Sequence, residues 1–87
     1  MNPLRLILSD GTIIENGTAG FAQGFLWLWF TGYTFAEAAG MFTDPGKTAR
    51  IIYEYGEMKD EYAGFINCVT IQIDADGRVS VCLKKGE

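Results

Sequence analysis

The chain has 87 residues, 48% of them hydrophobic and 21% charged, with a formal net charge of −4. That composition is globular rather than disordered, and the length allows one domain, residues 1–87, built around one small core. The acidic balance and the scatter of the seven Lys and Arg residues argue against nucleic-acid binding through a basic face, and the absence of histidine removes the usual base from serine and cysteine triads.

The opening MNPLRLILSDG holds an apolar run too short for a secretory signal, so a cytosolic setting with reduced thiols is expected. Residues 4–9 and 12–15 flank Asp10-Gly11, a hairpin signal for a two-residue type I′ loop. Leu4, Leu6 and Leu8 share one face of the first strand by period-two alternation. Residues 16–23 are rich in Gly and Ala and read as a loop, with the Asn16-Gly17-Thr18 sequon as a turn.

Seven of the twelve aromatic residues lie between positions 21 and 35. Residues 17–36 carry no charge, the length of a membrane span, yet they contain four glycines and no basic flank. A buried strand followed by a helix is the better reading. In Gly24-Phe-Leu-Trp-Leu-Trp-Phe-Thr31, Phe25, Trp27 and Trp29 point one way and Leu26, Leu28 and Phe30 the other. Both faces are apolar, so the strand is central or covered on its second side.

Thr34 and Glu37 form a capping box that opens a helix of about two turns, with Phe35, Ala38, Ala39 and Phe42 on one face and Pro45 beyond its end. Residues 49–55 make the next strand, with Ile51, Tyr53 and Tyr55 on one face. Residues 56–60 read as a charged turn. Residues 62–74 and 78–84 form the last hairpin. Putting Val69, Ile71 and Ile73 on the face of Val79, Val81 and Leu83 sets Ile71 opposite Val81. This leaves a three-residue loop, Ala75-Asp76-Gly77, with Gly77 left-handed and Asp74 facing Arg78 in an exposed pair. The expected fold is α+β, in the order ββ–β–α–βββ: one antiparallel sheet of five to six strands with one short helix packed on one face.

Chemistry-bearing motifs are few. Residues 40–48, GMFTDPGKT, miss the phosphate-loop spacing by one residue and follow a helix rather than a strand, so they read as a helix stop with an Asp44-Pro45-Gly46 turn. Cys68 and Cys82 fall on the polar face of the last hairpin as diagonal neighbours, roughly 7 Å apart at Cα, at the limit for a disulfide. With no histidine, zinc would need carboxylates to complete its ligands. No catalytic, cofactor or metal residues are assigned, and the chain is read as a non-enzyme. Trp27, Trp29, Tyr33, Tyr53 and Tyr55 are the candidate partner-binding anchors, because buried Trp and Tyr dominate association energies. Glu54, Glu57, Asp60 and Glu61 form an alternative acidic patch for a basic partner.

The second half, from MFTDPGKTARI through YAGF to VSVCLKK, resembles small uncharacterised proteins of phages and prophages of Gram-positive bacteria. The shared features are the Asp-Pro-x-Lys-Thr turn entering a strand, the Tyr-x-Gly-Phe segment and the closing Val-Ser-Val-x-Leu-Lys-Lys strand. The resemblance implies a virion or host-cytoplasm setting and a structural or accessory role, such as tail assembly, through contact with other virion proteins or a homo-oligomer. It implies no reaction; charge and composition, as above, give no expectation of a nucleic-acid or membrane partner, and no cofactor is expected. The alternative function is an acidic inhibitor or mimic that binds a basic host protein.

Overall fold

The computed structural model describes residues 4–86. The chain runs β1 (Leu4–Ile7), β2 (Ile13–Glu15), β3 (Thr18–Ala22), β4 (Phe25–Phe30), α1 (Phe35–Phe42), α2 (Pro45–Thr48), β5 (Arg50–Tyr55), β6 (Met58–Ala63), β7 (Asn67–Ile73) and β8 (Val79–Lys84). The strands form two four-stranded antiparallel sheets, β2-β1-β5-β6 and β3-β4-β8-β7. This overturns the single sheet of five to six strands with one helix: there are two sheets and two short helices.

Three local features cause the difference. Residues 18–22 are a strand, β3, which pairs with β4 from Thr18↔Trp29 to Ala22↔Phe25. The charged stretch 58–63 is also a strand, β6, paired with β5 through a two-residue turn at Gly56-Glu57. The stretch 62–74 is not continuous. It breaks at Gly64, whose φ of 84° is left-handed, and the chain passes from the first sheet to the second before β7 begins.

The first hairpin loop differs in type from the expected one, and a second hairpin stands where residues 16–23 were expected to be a loop. Leu8 N–H donates to Thr12 O and Gly11 N–H to Leu8 O, each at 2.9 Å, so the first loop is Ser9-Asp10-Gly11 with Gly11 at φ 90°. It is a three-residue loop rather than the two-residue one expected. The turn with positive φ at both central residues, as type I′ requires, is Gln23 (54°) and Gly24 (85°) between β3 and β4.

The capping box is present: Thr34 Oγ1 accepts from Glu37 N–H at 3.1 Å, and Glu37 Oε1 accepts from Thr34 N–H at 2.9 Å. Ala38 and Phe42 of α1 are fully buried, whereas Phe35 remains 51% exposed. Asp44 caps α2 by accepting from Gly46 N–H at 2.9 Å, with Pro45 in the first helical position, so the Asp-Pro-Gly turn continues into one helical turn.

One buried cluster unites the inner faces of both sheets with α1. Leu6, Ile14 and Ile51 come from the first sheet, Leu26, Leu28, Val81 and Leu83 from the second, and Phe42 from the helix. Each such side chain contributes about 1.5–3 kcal/mol on burial. Phe30 packs on Phe42 at 5.5 Å between ring centroids and on Tyr33 at 5.4 Å. At the side where β3 and β6 are the sheet edges, Phe21 stacks near Tyr62 (6.5 Å) and meets Phe65 edge-on (5.6 Å).

Gly17 marks the crossing from β2 to β3. A Cβ there would stand 2.7 Å and 2.9 Å from Leu6 side-chain carbons and 3.3 Å from Ile14, both fully buried. Gly17→Ala is therefore expected to cost about 1–3 kcal/mol, read as a lower urea midpoint with unchanged slope.

The first loop is tied to α2. Ser9 N–H donates to Lys47 O at 2.9 Å, and the Lys47 ammonium pairs with the Asp10 carboxylate. Lys47 first, then the hydrogen bonds from Thr12, holds the Asp10 carboxyl well below the usual range. A carboxyl depressed in the folded state stabilises above its unfolded pKa of about 4 and loses that contribution as pH falls towards the folded value. Asp10→Asn is expected to be less stable than the native chain at neutral pH, with the gap closing in acid. Denaturant midpoints over a pH series check this.

Candidate docking face

Alternation along β4 divides its six residues cleanly. Leu26, Leu28 and Phe30 are buried in the core, and Phe25, Trp27 and Trp29 are half-buried on the opposite, outer face. Register places Thr18, Gly20 and Ala22 of β3 beside this aromatic column. On its other side stand Ser80, Cys82 and Lys84 of β8, and then Thr70 and Gln72 of β7. None of these positions carries a carboxylate. The two indoles are nearly parallel, 9° apart with centroids 6.4 Å from each other. Trp29 lies over Gly20, where a Cβ would meet its ring at 3.4 Å, and the Arg78 guanidinium sits 5.7 Å from its centroid. A cation over an indole contributes about 0.5–1 kcal/mol when exposed. A cleft of about 190 Å³ opens at this end, bounded by Asn16, Thr18, Trp29 and Arg78.

The five aromatic anchors do not form one patch. Trp27 and Trp29 share the outer face of the second sheet. Tyr33 lies in the β4–α1 connection, edge-on to Phe30. Tyr53 and Tyr55, 4.8 Å apart at their centroids, belong to the first sheet, on the side that carries Leu6 and Ile51. Arg78, which completes the Trp29 end, was not among the sequence candidates. It does stand opposite Asp74, whose N–H donates to Arg78 O at 3.0 Å, but in place of the expected ion pair its side chain covers the indole, while Asp74 Oδ1 accepts from the backbone N–H groups of Asp76 and Arg78 at 2.9 Å.

The acidic group is likewise divided. Glu54 Oε1 accepts from Arg5 Nε at 2.5 Å, and Glu61 Oε2 from Arg50 Nη2 at 2.8 Å. Asp60 Oδ2 accepts from the Tyr55 hydroxyl at 3.1 Å, and Glu57 stands at the β5–β6 turn. Arg5 is 49 residues from Glu54, so no local spacing signals that pair. The bond to Asp60 raises the Tyr55 pKa, which keeps the phenol protonated; for Tyr62 burial is the first cause of the same upward shift.

Cys68 and Cys82 do not share a face. A bulge at Val69 inserts one residue, so Cys68 faces Leu83 while Thr70 faces Cys82. The slip turns Cys68 inward against the core and leaves Cys82 outward, with both thiols free. Among the described residues no group of three or more His, Cys, Asp or Glu could hold a metal, and no helix is long and apolar enough to cross a membrane.

Comparison with protein families, with curated proteins and with solved structures finds no match to this chain.

Burial pushes both thiol pKa values up, and Cys82 is only 2% exposed. Thiolate is the reactive form. In the folded protein both cysteines should react slowly with a disulfide reagent at mildly alkaline pH, Cys82 more slowly than Cys68, and both should react at once in denaturant. Rapid native labelling of Cys82 would contradict the outer face as described.

Proposed function

We propose that this chain is a non-enzymatic phage or prophage accessory protein, active in the host cytoplasm or the virion, that works by protein–protein association. The observation that carries the reading is the Phe25, Trp27 and Trp29 column on the outer face of the second sheet, with no carboxylate on the strand positions around it and no element of the described chain packed over it. Aromatic side chains on a rigid strand bury large area for little lost rotamer freedom, which is the composition of an interface centre. Half-buried indoles flanked by Thr, Ser and Gln offer both apolar contact and hydrogen bonds. The phage setting is supported by the resemblance carried by residues 41–86.

The test uses the native chain and a Trp27→Ser/Trp29→Ser variant, immobilised and exposed to a lysate of prophage-induced host cells. The native chain is expected to retain a virion structural protein at high salt, and the variant to lose it while keeping its circular-dichroism spectrum. Equal retention by both would sink the reading. Capture that vanishes as salt is raised would turn attention to the carboxylates of the first sheet.

A further inference from the structure

β7 is an edge of the second sheet and pairs on one side only, with β8. Among the described residues no backbone hydrogen bond outside the β7–β8 ladder involves its seven residues. A free row of N–H and C=O groups is a template for another strand, and proteins blunt such edges. Two of the other three edges here are blunted. β2 has only three residues. β6 carries Lys59, Asp60 and Glu61 in succession. β3 is neutral and shorter, five residues, with Phe21 against Tyr62 and Phe65 yet 54% exposed. β7, Asn-Cys-Val-Thr-Ile-Gln-Ile, carries no charge and leaves Val69 53% and Ile73 42% exposed. Its defences are the bulge at Val69 and the proximity of α1, which lies against β7.

We propose that β7 pairs with β7 of a second copy of this chain, antiparallel about a two-fold axis at Ile71, so that two second sheets join into one of eight strands. The proposal rests on the association reading above and names its first partner. A two-fold through a residue pairs like faces, so inner side chains meet inner ones. With the axis at Ile71, Thr70 stands opposite the partner's Gln72 on the outer face, and Val69 beside the partner's Ile73. Both exposed apolar side chains are then buried twice over.

Charge favours the same arrangement. Lys84 stands beside Asn67 in the register and Lys85 follows it, so one end of β7 is basic. Asp74 follows Ile73, so the other end is acidic. Antiparallel pairing sets each acidic end near the partner's basic end, whereas parallel pairing would align like ends. In a chain of net charge −4, a neutral strand with complementary ends is where two copies meet with least repulsion.

Area supplies the link to docking. Four strands about 4.8 Å apart and about six residues long present a face of roughly 400 Å². A standard interface buries about 800 Å² per partner. Edge pairing doubles the aromatic face to that size, with the two β3 strands as the edges of the joined sheet.

Light scattering across a wide concentration series tests this, with Val69→Lys and Ile73→Lys as edge variants. Both positions are exposed, so the fold should survive substitution. Ile13→Lys, at a site 44% exposed on the first sheet, is the control. The native chain should be a dimer. Each edge variant should raise the dimer dissociation constant about tenfold or more. Ile13→Lys and Trp27→Ser/Trp29→Ser should leave it unchanged, and β7 amides should gain hydrogen-exchange protection as concentration rises. A dimer broken by the tryptophan variant but not by the edge variants overturns edge pairing while keeping association through the aromatic face. A monomer at every concentration also overturns edge pairing, and the aromatic face then stands or falls on virion-protein capture alone.

Discussion

A short chain can build one buried layer, and every strand that lines it has a second face to place somewhere. Here the layer lies on the inner faces of the two four-stranded sheets and is completed by Ala38 and Phe42 of α1. β4 is apolar on both sides, and its position inside the second sheet, between β3 and β8, settles which side goes in. Leu26, Leu28 and Phe30 are the residues that mesh with Val79, Val81 and Leu83 across the ladder. Phe25, Trp27 and Trp29 are left outside by the same alternation. No second layer exists among the described residues to cover them, and the outer aromatic face is therefore a by-product of how the core is filled.

Sharing one core between two sheets requires the chain to change sheet, and each change is made at a left-handed residue. Asn16, at φ 60°, stands between β2 and β3; Gly32, at 88°, between β4 and α1; Gly64, at 84°, between β6 and β7. Asparagine and glycine tolerate this region at low cost, so the crossings are written in residue type. Gly17, beside the first crossing, serves a different need, close approach to Leu6 and Ile14.

Alternation and capping were legible in the sequence. β4, β5 and β8, the Thr34–Glu37 box, and the last hairpin with Ile71 opposite Val81 and Gly77 left-handed all follow from short-range pattern. What was not legible is anything set by partners far along the chain. Thr-Ala-Gly-Phe-Ala has little strand propensity and forms β3 because β4 offers it a ladder. Met-Lys-Asp-Glu-Tyr-Ala looks like a turn and forms an edge, where charge is tolerated. Alternation tells which face a residue takes, not which sheet, so Tyr53 and Tyr55 could not be separated from Trp27 and Trp29. A single inserted residue, Val69, was enough to send Cys68 to the wrong side of its expected face.

The distribution of charge ties these threads together. The first sheet gathers Glu54 and Glu61 with their arginines on its outer face, and β6 sets a charged edge beside them. Exposed pairs of this kind add little stability, below about 1 kcal/mol each. Their stronger effect is exclusion, because a charged face and a charged edge resist burial by another protein. The second sheet has the opposite character: a neutral outer face with aromatic relief, flanked by Arg78 and Lys84, and a neutral edge in β7. The four strands most suited to contact thus belong to one sheet, and a net charge of −4 is held mainly away from it. Charge on the first sheet and its edge therefore leaves the neutral face and edge of the second sheet as the surfaces where electrostatic repulsion opposes contact least.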